Sequence, residues 1–351
     1  MRFVNRLAVG CVLLIALAPF GAHQRTVAQT TAAAGQLPPV LERYLGKDVQ
    51  LSAADRKTLV SGSPVTKILD SDASKEVAVF GAVWINASPA AYVARVNDIE
   101  NFEKGGGFRI TKRISDPPKP DDFAQMDLPA KDVADLRDCR IGDCGLKLGA
   151  HTLRKLRTEV HWNTPDATAE AESILRRAAF DYVTGYRAGG NARLAVYRDS
   201  DDPVFVAKEF RSMIERLPAL APMPDMQRYL LDYPSATLSG GTDFLYWQEA
   251  RFGLKPTIRI NHLIIQERPD ATIVASKMLY ATHYFWTALE LRVLTPDPSR
   301  GGFWFVTMSR SRSDGLSGFI GRFVRGRVRK EALKGTLAAL SATKTRLETG
   351  R

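Results

Sequence analysis

The sequence is poor in the residues from which metal sites and thiol enzymes are built. Of its 351 residues, only 3 are cysteines and 5 are histidines. The Gly-x-Ser-x-Gly, His-Glu-x-x-His and phosphate-loop motifs are absent. The triplet at 105–107 lacks the strand-to-helix setting of a nucleotide site, so we interpret it as a loop. These absences argue against metal catalysis and nucleotide binding, and we expect no cofactor and no metal.

Long apolar runs are also scarce. Arg2 and Arg6 precede an apolar stretch from Leu7 to Phe20, which is shorter than the ~20 apolar residues that a membrane-spanning helix needs. A basic segment followed by an apolar one is typical of a signal peptide. Thr26-Val27-Ala28 has the spacing of small residues at a cleavage site. We therefore expect residues 1–28 to be a cleaved signal peptide for a periplasmic or secreted protein, the alternative being an uncleaved anchor of the same topology.

Cysteine use agrees with export. Cys11 lies in the predicted signal peptide, so the mature chain keeps only Cys139 and Cys144. An even pair in an oxidising compartment predicts a disulfide, and Gly142 allows so short a loop to turn. The chain-entropy model gives such a ring about 2 kcal/mol. A redox couple or metal pair is the alternative, but the spacing is not Cys-x-x-Cys and nearby residues do not complete a zinc site.

Negative charge is in short supply near the C-terminus. The chain has a formal net charge of +11, and basic residues are concentrated between 310 and 334, where Phe319, Ile320 and Phe323 interleave with them. Outside the cytoplasm, lipid headgroups are a better anionic partner than nucleic acid. We predict peripheral contact with an anionic membrane surface, and no nucleic-acid partner; a solvated helix face is the alternative. The predicted contact residues are Arg322, Arg325, Arg329 and Lys330.

Residue patterns divide the chain after the predicted signal peptide into segments of different character. Residues 29–75 are expected to hold a linker and short helices. Strands are predicted at 76–85 and 108–114, with a helix between them that Ser88 caps and Pro89 begins. Residues 116–235 are expected to form a mainly helical segment. Its pattern is helical from 121 to about 187 and again at 205–217 and 226–231, with a short strand predicted at 194–197. We refer to this segment as the helical insert.

The last third of the chain alternates as strands do. Strands are predicted at 242–252, 256–267 and 303–308. The stretch 271–294 is far longer than a usual strand of ~5–6 residues, so we interpret it as two strands joined near 281–283. Short turns between these strands indicate an antiparallel sheet. A helix from about 318 to 347 follows, and the predicted class is α+β.

This order of elements is that of the helix-grip fold. Residues 77–85 with Ser88-Pro89, and residues 275–280, 283–285 and 310–316 ahead of the last helix, carry the likeness. On these residues the chain resembles an uncharacterised group of exported bacterial proteins in the START-like superfamily, also called SRPBCC or polyketide-cyclase-like. The resemblance covers about 76–115 and 236–348, and it implies a START-like domain over 76–351 that is interrupted by the helical insert.

The resemblance implies a curved antiparallel sheet wrapped around the C-terminal helix, with an apolar cavity between them. The superfamily includes lipid carriers, cyclases, hydrolase-like enzymes and ligand sensors. It has no common catalytic residues, so the resemblance transfers none to this chain.

Candidate site residues therefore come from their own chemistry. Aromatic side chains with a hydroxyl or indole N–H can line a cavity and orient a ligand, and arginine pairs can hold an acidic group. Strand alternation would place Tyr280, Tyr284 and Trp286 on one face. His283 and Tyr280 are candidates for acid and base, the alternative for His283 being core packing. The ligand-binding candidates are Tyr246, Tyr280, Tyr284, Trp286, Arg310 and Arg312.

We therefore predict a periplasmic binding or carrier protein for an apolar or amphipathic, lipid-like ligand. A cyclase- or hydrolase-like enzyme that uses His283 and Tyr280 is one alternative. A cell-envelope interaction protein that docks through the helical insert is the other. His262 lies on an apolar face with Ile260 and Ile264, and we interpret it as a core residue.

Overall fold

The computed structural model describes residues 37–104, 107–251 and 255–350, so the predicted signal peptide lies outside the described residues. Among the described helices, none is both long enough and apolar enough to cross a bilayer. The helices are α1 (Pro39–Lys47), α2 (Ala53–Val60), α3 (Pro89–Asn97), α4 (Ile99–Phe102), α5 (Ala130–Leu136), α6 (Ala150–Glu159), α7 (Ala167–Gly189), α8 (Val206–Ile214), α9 (Pro224–Asp232) and α10 (Gly318–Thr349). The strands are β1 (Val65–Leu69), β2 (Glu76–Ile85), β3 (Phe108–Arg113), β4 (Val196–Tyr197), β5 (Val204–Phe205), β6 (Gly241–Ala250), β7 (Thr257–Glu267), β8 (Thr272–Ala281), β9 (Phe285–Pro296) and β10 (Phe303–Ser313).

One antiparallel sheet organises the molecule. Its 8 strands lie in the order β1-β2-β10-β9-β8-β7-β6-β3. The α+β class, the antiparallel sheet and the long C-terminal helix are confirmed. The predicted division of 271–294 is also confirmed, because β8 ends at Ala281 and β9 begins at Phe285. Ser88 caps α3 by accepting a hydrogen bond from the Ala91 N–H, and Pro89 is the first helical residue.

Strand β1 corrects the prediction for residues 29–75. That segment was expected to contain a linker and short helices; α1 and α2 are such helices, but Val65–Leu69 forms a strand that pairs with β2 along the edge of the sheet. Only the two ends of this strand are buried. A short edge strand with a half-buried middle lacks the alternation by which strands are recognised.

The two faces of the sheet are covered by different helices. Paired residues of neighbouring strands share a face, so Phe80, Met308, Leu291, Ala275 and Ile264 form one row across five strands. Side chains of α1, α7, α8 and α9 pack on the face that carries this row. We call it the insert face. The other face packs against α3 and α10 and is called the α10 face.

Cys139 and Cys144 form the predicted disulfide within the helical insert. The loop that it closes turns at Gly142, whose φ of 89° lies in the left-handed region that favours glycine. The structure confirms the pairing of these cysteines, while the structural role of the bond and export to an oxidising compartment stay predictions.

Gly81 sets how closely α10 approaches the sheet. A Cβ atom at this position would lie 2.8 Å from Leu340 Cδ1 and 2.8 Å from Thr336 Cγ2. The contact leaves no room for a larger residue on the α10 face of β2. The absence of a side chain at Gly81 therefore determines how closely the C-terminal helix packs on the sheet.

We predict that Gly81→Val lowers the free energy of unfolding by about 1–3 kcal/mol, because the added atoms overpack this contact. Denaturant unfolding measures the change. Gly335→Val is the matched control, since Gly335 lies in α10 with open space around its Cβ position. Equal unfolding midpoints for the two variants would show that Gly81 does not limit how closely α10 packs on the sheet.

Candidate functional site

An apolar cavity of about 310 Å³ lies between the helical insert and the insert face of the sheet. Its volume is near the lower end of the ~300–1,000 Å³ range of small-molecule sites. Ile258 and Ile260 of β7 and Tyr280 of β8 line it from the sheet side. From the insert, the lining includes Leu128, Leu146, Leu148, Leu175, Ala178 and Ala179.

The spacing of small residues on α7 leaves this space open. Leu175, Ala178, Ala179 and Tyr182 recur at helical spacing and line the same cavity. The two alanines occupy positions where larger side chains would fill the gap. Leu128 and Leu175 are only half-buried, so the apolar lining reaches the surface of the protein.

Two tyrosine hydroxyls at the cavity link the insert to the sheet by hydrogen bonds. Tyr182 of α7 donates a hydrogen bond of 2.7 Å to the carbonyl oxygen of Leu279. Tyr280 of β8 donates one of 2.7 Å to the carbonyl oxygen of Lys147 in the insert. Burial raises the pKa of both phenols well above the usual value. The Tyr280 phenol therefore stays protonated and donates its hydrogen bond to a backbone carbonyl.

Charged side chains border the cavity at its rim. Glu172 and Arg193 are the charged residues of the described lining. Glu172 is already paired, since its Oε2 accepts a hydrogen bond of 2.9 Å from Arg176 Nη2. Arg193 is exposed to solvent. A ligand that filled the cavity would meet this guanidinium with any polar group that it kept near solvent.

The predicted aromatic set is not brought together. Of its members, only Tyr280 lines the cavity. Tyr246 lies on the α10 face with its hydroxyl 3.0 Å from Ser276 Oγ. Tyr284 has a φ of 60° in the turn between β8 and β9, and Trp286 donates its indole N–H to Asp314. The expectation that Tyr280, Tyr284 and Trp286 share a face is wrong, because the turn and a bulge near Tyr280 interrupt the alternation.

Arg310 and Arg312 lie on the insert face but border a different, polar cavity of about 400 Å³. Both form ion pairs with Glu76: Arg310 Nη1 lies 2.5 Å from Oε1, and Arg312 Nε lies 3.1 Å from Oε2. Arg312 also binds Glu209 of α8 at 2.7 Å. The two arginines therefore connect β2, β10 and α8, and they stand apart from the lining of the apolar cavity.

His283 is likewise engaged at the boundary between the insert and the sheet. Its Nε2 lies 2.8 Å from Asp132 Oδ2, and both side chains are buried. Lys255 Nζ lies 3.3 Å from the other oxygen of Asp132. The partner of His283 therefore lies on α5 of the insert and not on a neighbouring strand, and both the acid-base role and core packing stay predictions.

A buried polar cluster beneath α7 was not predicted. His262 Nε2 lies 3.0 Å from Asp243 Oδ1, and its Nδ1 lies 2.8 Å from the hydroxyl of Tyr186. Lys277, which pairs with His262 across β7 and β8, donates to that hydroxyl at 3.3 Å and to the side chain of Asn191. A lysine inside an otherwise apolar strand is the sequence signal that could have revealed the cluster.

Burial shifts the titration of this cluster strongly. It lowers the pKa of Lys277 from 10.5 to about 7. It also lowers the pKa of His262 to about 4, against the opposing effect of Asp243. Burial alone would raise the pKa of Asp243, but the nearby His262 and hydrogen bonds from Tyr229 and Arg187 hold it well below its usual value. Burial therefore shifts the equilibrium of both side chains, Lys277 and His262, toward their neutral forms.

Lys277 gives the stability of the protein a specific dependence on pH. Between about pH 7 and about pH 9, the unfolded chain binds more protons at this lysine than the folded protein does, so the free energy of unfolding rises with pH. The slope is at most about 1.4 kcal/mol per pH unit for one lysine. We predict that Lys277→Met removes this rise, as measured by denaturant unfolding across that range. Parallel pH profiles for the variant and the parent would contradict the prediction.

No protein-family model matches the chain, and no curated protein matches it at a significant level of sequence similarity.

Proposed function

We propose that the protein is a binding or carrier protein for an apolar or amphipathic, lipid-like molecule, which it holds between the helical insert and the sheet. The apolar cavity is the observation that carries the proposal. Its lining is mostly aliphatic and aromatic, and half-buried Leu128 and Leu175 extend that lining to the surface. Burying ligand surface there gains ~25 cal/mol for each Å² of apolar area removed from water.

The arrangement of elements supports a helix-grip, START-like assignment as part of this proposal. A large antiparallel sheet carries α10 on one face. The cavity, however, lies on the opposite face, beneath a segment that the resemblance does not cover. In our proposal the helical insert therefore supplies the roof of the site, and the insert face supplies its floor.

The rim of the cavity favours an amphipathic ligand with an anionic end. Arg193 is exposed beside the cavity, where a guanidinium can pair with a carboxylate through two parallel hydrogen bonds. The apolar chain would lie against Ala179 and Ile260, and the carboxylate would stay near solvent. A fatty acid meets both requirements.

We predict that Ala179→Trp weakens binding of a fluorescent fatty acid at least about tenfold, because the indole fills the space that the ligand needs. Fluorescence titration measures the affinity, and native mass spectrometry of the protein before delipidation shows whether a bound lipid is lost. Ala338→Trp, at an exposed position of α10, is the matched control. Equal affinities for the two variants, or no binding by the parent protein, would refute the proposed site.

We also predict that Arg193→Gln weakens binding of a fatty acid about fivefold, as expected for the loss of one exposed ion pair of about 1 kcal/mol. Binding of the fatty alcohol with the same chain length should not change. Competition against the fluorescent ligand compares the two. If the variant binds acid and alcohol as the parent does, the anionic end of the ligand does not lie at Arg193.

A further inference from the structure

The C-terminal helix presents one side to the sheet and the other to solvent. Leu333 and Leu340 of α10 pack on the α10 face of the sheet. On the other side, five residues recur at spacings of four and three, which places them along one helix face. We call this set the outer stripe. It consists of Phe323, Arg327, Lys330, Lys334 and Leu337.

The outer stripe combines exposed cations with exposed apolar groups. Phe323 is 69% exposed and Leu337 is 41% exposed. Arg327, Lys330 and Lys334 lie between them and are also exposed. In the described part of the chain, these three cations take part in no ion pair; the ion pair within α10 is Lys344 with Glu348. The charge of the stripe is therefore not neutralised by the protein itself.

The surrounding segment adds to this charge. Residues 318–337 contain six basic residues and one acidic residue, Glu331. Some of these basic residues contact the rest of the protein, and others are exposed to solvent. Arg325 donates to the carbonyl oxygen of Ala73, and Arg329 is half-buried. Of the contact residues predicted from sequence, Lys330 lies in the outer stripe, and Arg322 is exposed beside it.

We infer that the outer stripe docks the protein on an anionic lipid bilayer, with α10 lying along the surface. Lysine and arginine are attracted to acidic headgroups. Phe323 and Leu337 are placed at the two ends of the basic run, where their side chains enter the headgroup boundary. Nucleic acid would satisfy the cations but would leave these apolar groups in water. The combination of both features favours lipid.

Docking through α10 leaves the ligand cavity free, because the cavity lies on the opposite face of the sheet. The inference therefore does not depend on the proposed ligand, and the two can fail separately. A protein docked in this way would hold the mouth of its cavity away from the bilayer.

The experiment is co-sedimentation of the full chain with vesicles of phosphatidylcholine, with and without phosphatidylserine. The test variant is Arg327→Gln, Lys330→Gln, Lys334→Gln. The matched control removes three exposed cations of the insert, as Arg154→Gln, Arg157→Gln, Lys208→Gln. Each basic residue near the surface changes partitioning about fivefold. We expect the test variant to lose roughly 100-fold in binding to the phosphatidylserine vesicles and the control variant to keep most of its binding.

A second variant, Phe323→Ser with Leu337→Ser, tests the apolar part and should weaken binding about tenfold. Failure of the parent protein to bind phosphatidylserine vesicles, or equal losses in the test and control variants, would overturn the inference. Binding to a DNA duplex that is as tight as binding to vesicles, and that survives the serine variant, would also overturn it. Fatty-acid titration of the same variants keeps the two proposals apart, since cavity binding should be unchanged.

Discussion

The cavity depends on buried hydrogen bonds that hold the helical insert against the sheet. Tyr182 reaches from α7 to the Leu279 carbonyl, and Tyr280 reaches from β8 to the Lys147 carbonyl. A buried polar group that loses its partner costs about 1–3 kcal/mol. A movement of the insert toward the sheet that closed the cavity would break both hydrogen bonds. The hydrogen bonds thus keep the insert at a fixed distance from the sheet, and the small side chains of Ala178 and Ala179 do not fill the space between them.

The polar cluster beneath α7 fixes the insert at a second place. His262 and Lys277 of the sheet meet Tyr186 of α7, and Asn191 donates to the carbonyl oxygens of Leu230 and Leu231 at the end of α9. The contacts of Tyr186 with His262 and Lys277 are buried. The same desolvation that shifts their pKa values makes the junction specific, because other packings of the insert would leave these groups without partners.

The sequence predicts local structure well where one residue decides it. Ser88 and Pro89 fix the start of α3, and the cysteine spacing fixes the disulfide, because each depends on chemistry within a few residues. The candidate site was less predictable. Alternation fails for Tyr284 because a single left-handed residue reverses the direction of the chain. Tyr186 beside His262 and Asp132 beside His283 both come from the helical insert, and no local pattern connects such distant segments.

We propose that the two faces of the sheet have separate roles, with ligand binding on the insert face and contact with a bilayer on the side of α10. The most direct test of the central claim is photo-crosslinking with a fatty acid that carries a diazirine at its chain end, followed by peptide mapping. The account predicts labelled peptides from α7 and from β7 around Ile260. Labelling confined to α3, to α10 or to the α10 face of the sheet would contradict it.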